Sequence, residues 1–401
     1  MKYLILVPDG AADIPVDSLN HKTPLEIANK PHIDWLAKNG RCGLMQTIPA
    51  GMPAGSEVAN LSILGYAPEK CYQGRGVLEA ASLGIRLNDN DVAFRCNTIF
   101  AENEVMVSHS AGYITSSESC ELIDTLNKDI SSEDVKFYAG LDYRHILVLK
   151  EKFSPAVYCF PPHDNIGKKL SDIMPYALSE EGEKTAGLLR DIIFFSGRIF
   201  GKHPVNLKRI SENKHPANFI WPWSGGKKPV METFTKKFGI SGAIISAVDL
   251  IKGIGVYAGF DVIKVYGATG LYNTNYQAKA SSAIEALTTH DLVYVHVEAA
   301  DEASHEGDVE LKIRCIEDFD KRLIAYILRK IDLNNTAIAV IPDHFTPVSL
   351  RGHTSQKVPF LIYHPHIKPD EVTVFSEKNC LQGGFGVIEG ETFMRLLLQR
   401  I

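Results

Sequence analysis

V-E-A-A-D-E-A-S-H-E-G-D (residues 297–308) and A-V-I-P-D-H-F-T-P-V-S-L-R-G-H-T (339–354) decide how this chain is read. In the first stretch Asp301 and His305 lie four apart, the spacing of neighbours on one helix face. In the second, Asp343 and His344 directly follow an apolar run, and His353 comes nine residues later. Between the stretches, Val309, Ile313, Ile316, Phe319, Leu323 and Ile327 recur at helical spacing and predict one long amphipathic helix, about 308–330. Apolar runs at 291–297 and 336–341 predict strands that deliver these carboxylates and imidazoles at their carboxyl ends. Oxygen and imidazole donors gathered there are what a divalent-metal site requires. Five of them in two clusters suggest two ions rather than one.

Outward from this stretch the same grammar recurs. Tyr3–Val7 reads as a central parallel strand ending at Pro8-Asp9-Gly10, which puts Asp9 at the sheet edge where ligands of open α/β sheets bind. Taken alone, Asp9 reads as a turn residue with Gly10. Thr23-Pro24-Leu25-Glu26 is a helix start, and 31–39 a short helix. P-A-G-M-P-A-G-S-E-V-A-N-L-S-I-L-G-Y (49–66) is a loop running into a helix that begins at Ser56. Ser56 reads either as a plain N-cap or as a nucleophile whose phosphorylated form a helix N-terminus would favour. From 240 onward strands and helices alternate again, including a strand at 261–265 and a helix at 248–257 that carries Lys252. The segment 71–238 differs: many short strand-like runs, two helices near 117–127 and 184–200, and a glycine- and proline-rich W-P-W-S-G-G-K-K-P (221–229) read as a loop. The expected architecture is α/β: residues 1–70 plus 239–401 form a doubly wound sheet domain that binds the metal, and 71–238 an inserted α+β domain for substrate.

Length and composition agree. The 401 residues, 45% hydrophobic and 22% charged, suit two soluble domains. A net charge of −6 gives no basic footprint for nucleic acid. No apolar run is long enough for a membrane span, and the five apolar residues before Pro8 are too few for a secretory leader. Seven scattered cysteines without a C-x-x-C pair point to free thiols in a reducing, cytoplasmic setting. There is no G-x-x-x-x-G-K-[ST] phosphate loop.

V-P-D-G, G-S-E-V-A-N-L-S-I-L-G-Y, A-A-D-E-A-S-H-E-G-D and P-D-H-F-T-P-V-S-L-R-G-H-T together resemble the archaeal-type 2,3-bisphosphoglycerate-independent phosphoglycerate mutases, of the alkaline phosphatase superfamily. G-R-G-V-L-E-A-A-S-L-G-I, D-V-A-F-R-C-N and I-S-A-V-D-L-I-K-G-I extend the likeness over nearly the whole chain. The resemblance implies an alkaline phosphatase-like sheet and a glycolytic isomerase acting on a small phosphorylated substrate. It also implies Ser56 as the nucleophile that becomes phosphoserine. One ion would be held by Asp9, Ser56, Asp343 and His344, and another by Asp301, His305 and His353. Manganese is the usual metal, with zinc or magnesium as alternatives. Arg144 and Lys252 match basic substrate-binding residues of the family. The chain departs from the pattern at S-H-S-A-G-Y (108–113), where the archaeal mutases carry arginines; His109 would replace part of that charge. That segment and W-P-W-S-G-G resemble a sister group proposed to be homoserine kinases, of threonine biosynthesis. The alternatives to a mutase are therefore another phosphotransferase on the same machinery, such as a homoserine kinase, or a phosphatase.

Overall fold

The computed structural model describes residues 1–130 and 132–400. The chain forms two compact units, Met1–Tyr72 with Val230–Ile401, and Gln73–Pro229. The helix Phe234–Phe238 belongs to the first unit because the Phe234 ring packs on Phe260, 4.9 Å between centroids.

The first unit is built on an eight-stranded sheet. Its strands run in the order Asp261–Val262, Gly242–Ile245, Leu292–Val297, Lys2–Pro8, Thr336–Val340, Val358–Tyr363, Arg41–Gln46 and Val387–Glu389. All neighbours are parallel except around Val358–Tyr363, which runs antiparallel to both of its partners. The expected α/β fold is therefore present, with one reversed strand in an otherwise parallel sheet. The central strands are apolar throughout because both faces are covered. Leu4, Leu6, Val293, Val295, Ile338 and Val340 point into one core with the helices Tyr276–Thr289 and Val309–Asp318. On the other face Gly255 of the helix Asp249–Ala258 lies directly over Ile244, so close that a Cβ would sit 2.5 Å from its Cγ2.

Register decides what meets at the sheet edge. Pro8 pairs with Val297, and Leu6 with Val340. The residues that follow these strands, Asp9, the helix Ala299–Glu306 and Pro342-Asp343-His344, consequently emerge side by side.

Three expectations are corrected here. The long helix is interrupted: Val309–Asp318 is α-helical, Phe319–Ile324 is a π turn, and Ala325–Leu328 resumes. The wide turn delivers Asp320 to the start of the helix Pro31–Lys38, where Oδ1 accepts from the backbone N–H of His32 at 3.0 Å and Ile33 at 2.7 Å. The strand expected at 261–265 stops at Val262. The run W-P-W-S-G-G-K is not a loop but part of the strand Phe219–Lys227.

That strand belongs to the second unit, an antiparallel sheet centred on Val92–Glu102. Arg144–Leu149 lies on one side of it and Phe219–Lys227 pairs along 92–99. Among the described residues Phe219–Lys227 pairs with no other strand, and an edge tolerates Pro222. Trp221 and Trp223 are both buried. The helices Ser116–Asp129 and Glu183–Phe200 supply Ile123, Leu126, Leu189 and Ile192 to this unit's core.

Candidate active site

The helix Ser56–Ile63 is capped by Gly55, whose side is bare, so Ser56 is its first helical residue and not its cap. The plain N-cap reading of Ser56 fails for that reason: its hydroxyl makes no capping bond and instead lies 3.0 Å from His344 Nε2. Asn60, one turn on, holds this helix to the sheet edge. Its amide donates to the Ser56 carbonyl at 2.8 Å and to Asp343 Oδ2 at 2.9 Å, while the Tyr294 hydroxyl donates to its Oδ1.

The carboxylates crowd together. Gly10, at φ +62, donates its N–H to Asp343 Oδ1 at 3.2 Å; a Cβ there would lie 2.6 Å from Asp301 Oδ1, so only glycine lets the first strand's end approach this closely. His344 Nε2 is 3.5 Å from both Asp9 and Asp343, and His353 Nε2 and His305 Nε2 stand 3.4 and 3.2 Å from Asp301. Asp9, Asp343 and His344 are fully buried, whereas His305 reaches solvent, so the cage opens on the side of His305 and Ser56.

Backbone and hydroxyl oxygens fix the imidazoles from behind. His305 Nδ1 donates to the Arg351 carbonyl at 3.0 Å, and His353 Nδ1 to that of Ala54 at 3.3 Å. Thr346 gives its own proton to Asp301 at 2.6 Å and so accepts from His344 Nδ1 at 3.1 Å. In each ring Nδ1 is taken up by that oxygen, which leaves Nε2 as the atom that would ligate a cation, the arrangement in which ligating histidines are usually held. Lys312, fully buried, clamps the surrounding loops by donating to Asp13 at 2.7 Å and to the carbonyls of Thr346 at 2.9 Å and Ala12 at 3.2 Å.

This donor set fits divalent ions. Among the described residues neither Asp9 oxygen has a partner with hydrogen-bond geometry, although both are buried. Burial first, then the charges of Asp343 and Asp301, push the Asp9 carboxyl well above the usual range. A buried carboxyl so placed calls for a cation. Burial would also raise Asp301, but the bonds from His305 and His353 overturn it and hold Asp301 well below the ordinary value. The bond to Asp301 raises His305 to about 9. Burial lowers His344. The facing Nε2 atoms of His305 and His353 are 3.0 Å apart. Two imidazoles on one ion, with metal–nitrogen bonds of about 2.0–2.1 Å, stand roughly 2.9–3.4 Å apart.

All seven residues expected at the metal site thus converge, with His344 between the two groups: its ligand atom lies within 4.8 Å of those of Asp301 and His353, and its Nε2 is 3.5 Å from Asp9. His296 was missed. It is fully buried in the strand Leu292–Val297 and groups with Asp9 and Asp343. Inside the run L-V-Y-V-H-V it reads as a core residue, and no motif singles it out. Lys279 was missed likewise; its ammonium, pushed down to about 8 by burial, donates to the His296 carbonyl at 3.1 Å. Lys252 contributes to that shift through its charge, and is itself paired with Asp249 at 3.0 Å.

Arg144 and His109 lie in the second unit and share one ring. The Arg144 guanidinium is 5.8 Å from the Tyr143 centroid, and His109 meets the same ring edge-on at 5.6 Å. Around them stand two arginines not singled out beforehand, although both lie in quoted motifs: Arg95 of F-R-C-N and Arg75 of G-R-G-V. Their guanidiniums lie 4.9 and 5.9 Å from the Trp223 ring. Arg95 is buried and paired with Glu79 at 3.0 Å. Burial, then the charge of Arg95, lowers His109.

A family profile described as 2,3-bisphosphoglycerate-independent phosphoglycerate mutase matches residues 37–206. The protein of that name from Methanosarcina barkeri is 46% identical over 402 residues, covering 100% of both chains. A solved structure of a Pyrococcus horikoshii protein is 32% identical, covers 99% of this chain and 96% of its own, and superposes with a TM-score of 0.86. The cofactor-independent phosphoglycerate mutase of Thermoplasma acidophilum is 27% identical, with 100% and 99% coverage and a TM-score of 0.70. With full-length identity at this level, the chain belongs to the 2,3-bisphosphoglycerate-independent phosphoglycerate mutases.

Proposed function

We propose that the protein interconverts 3-phosphoglycerate and 2-phosphoglycerate through a phosphorylated Ser56. The observation that carries this is the position of Ser56: first residue of a helix, hydroxyl 3.0 Å from His344 Nε2, at the open side of the carboxylate–imidazole cage. One ion is assigned to Asp9, Ser56, Asp343 and His344, and one to Asp301, His305 and His353. Bound divalent ions supply positive charge against the attacking and leaving oxygens. Hard oxygen and imidazole donors suit manganese, and also zinc or magnesium.

The residues do the rest. His344, whose Nε2 stands 3.0 Å from Oγ, keeps Oγ at the opening. The bond from Oγ to phosphorus forms as the bond from phosphorus to the glycerate 3-oxygen breaks, and the proton that Oγ gives up ends on that 3-oxygen; the return transfer to the 2-oxygen moves a proton back to Oγ. The phosphate then sits at the amino end of the helix, where free N–H groups and the helix dipole favour an anion. Glycerate presents its other hydroxyl, whose oxygen takes the phosphoryl group as the bond to Oγ breaks. Arg144 and His109 are assigned to the glycerate carboxylate, since a guanidinium grips it with two parallel bonds. Arg95 and Arg75 add charge beside them in the second unit, and Lys252 is also assigned to substrate. The seven cysteines are free, which supports a reducing, cytoplasmic setting, and no helix among the described residues is long and apolar enough to cross a membrane.

Manganese-loaded protein given 3-phosphoglycerate should yield 2-phosphoglycerate; given ATP and homoserine, it should yield no phosphohomoserine. Phosphohomoserine without any 2-phosphoglycerate would overturn the mutase reading in favour of a kinase. Free phosphate as the sole product would overturn it in favour of a phosphatase.

A further inference from the structure

We propose that His296 is a metal ligand, a fourth imidazole in the cage beyond His305, His344 and His353. The inference rests on the two-ion reading above and assigns a residue that the family resemblance does not. His296 Nε2 is fully buried and lies 3.1 Å from Asp9 Oδ2 and 3.9 Å from Asp343 Oδ2. Among the described residues it has no partner with hydrogen-bond geometry, and the Asp9 oxygens that face it are equally unpartnered. An apolar replacement would fit a strand interior; a buried imidazole aimed at two carboxylates answers to a cation.

The back of the ring repeats what is seen in the other three histidines. Nδ1 lies 3.4 Å from the Ser246 hydroxyl, which is itself fixed by accepting from the Val248 N–H at 3.0 Å. A proton on Nδ1 toward Ser246 leaves the Nε2 lone pair facing Asp9 and Asp343. That is the tautomer His305, His344 and His353 hold through the Arg351 carbonyl, the Thr346 hydroxyl and the Ala54 carbonyl. The strand places the ring there by alternation. Val293 and Val295 fill the core on one face, while Tyr294 and His296 share the other, where Tyr294 bonds Asn60 of the nucleophile helix. With His296 as a ligand, Asp9 and Asp343 hold their ion from the buried side of the cage.

The test loads the full-length protein with cobalt and counts the paramagnetically shifted, exchangeable imidazole N–H resonances, using histidine labelled with nitrogen-15. Each ligating ring with a protonated Nδ1 gives one. The expected count is four in the wild type. In His296→Gln it falls to three, and one of the two cobalt ions binds at least about tenfold more weakly. Three signals in the wild type, or four retained in His296→Gln, would overturn the assignment and leave the two-ion reading standing. The wild-type count decides even where the variant does not fold. A protein that binds no cobalt at all would instead remove the two-ion reading, and this inference with it.

Discussion

The two units collect opposite charges and stabilise them by different means. In the first, Asp9, Asp301 and Asp343 crowd within a few ångströms of one another beneath histidines whose protons are turned away. In the second, Arg75, Arg95 and Arg144 gather over Trp223 and Tyr143, with His109 and His163 beside them. Like charges held together are costly unless something of the other sign completes them. The first cluster keeps two orphaned carboxylate oxygens and asks for cations. In the second, Glu79 pairs with Arg95, and the guanidiniums of Arg75, Arg95 and Arg144 lie by aromatic rings. On the function proposed above, the contrast separates a site that does chemistry from one that holds a substrate, and each half of it can be broken alone.

The largest effect belongs to Ser56. Ser56→Ala removes the attacking oxygen while leaving the carboxylates and imidazoles in place, so activity should fall on the order of 10⁴-fold or more. Cobalt or manganese uptake should persist at no less than one ion, with unfolding temperature nearly unchanged. A variant that still converts 3-phosphoglycerate would end the phosphoserine mechanism.

Acid should strike the second unit through His145. This ring is fully buried, accepts from the Gly140 N–H at 3.3 Å, and is pushed down to about 3 by burial. Unfolded, it titrates near 6.5. The folded value is the lower one, so its contribution is complete above pH 6.5 and is lost as pH falls from there toward 3. The loss is about 1.4 kcal/mol per pH unit across the window, on the order of 5 kcal/mol in all. His145→Gln cannot take up that proton. The difference between wild-type and variant urea midpoints, measured from pH 7 to 4, should therefore shift in the variant's favour as pH drops. A constant difference would show that the ring does not titrate on unfolding.

Chelation should act on the first unit in the opposite manner, at neutral pH. An ion present at a hundred times its dissociation constant stabilises by about 2.7 kcal/mol. Stripping the protein with EDTA should lower its calorimetric unfolding temperature and speed amide exchange in the strands Lys2–Pro8 and Leu292–Val297, while Arg144–Leu149 exchanges as before. Uniform loosening of both units would blur the contrast drawn above.

The same contrast explains what could be read from the sequence. Asp9, Asp301, Asp343 and His344 each follow an apolar strand and Ser56 opens a helix, and it is the recurrence of such placements that marks them together. His296 leaves no such trace, because inside a strand an imidazole and a core residue occupy the same position in the pattern. The atoms that set the tautomers are equally silent: the carbonyls of Arg351 and Ala54 carry no side-chain signature. In the second unit W-P-W-S-G-G-K reads as a loop because proline and glycine dominate it. Pairing along Val92–Glu102 overrides that local preference at an edge. Trp223 is thereby placed under Arg95, and a cluster assembled from four separate segments has no contiguous pattern to find.

The smallest effect is the most discriminating for the second unit. Arg144→Lys keeps the positive charge beside Tyr143 and removes the planar fork, so it separates charge from geometry. If Arg144 grips a carboxylate with two parallel bonds, the lysine variant should raise the KM for 3-phosphoglycerate about 10-fold and leave kcat within about threefold, since the bond is made equally before and during phosphoryl transfer. Arg144→Ala should raise KM further. The Arg144 Nε is buried and without a hydrogen-bond partner among the described residues, so in the free protein the group is held mainly by Tyr143 and is cheap to replace. A fall in stability would therefore be minor, and the change would read out as binding. Equal KM in the wild type and both variants would detach Arg144 from the substrate and leave Arg95, with its Glu79 partner, as the guanidinium to test next.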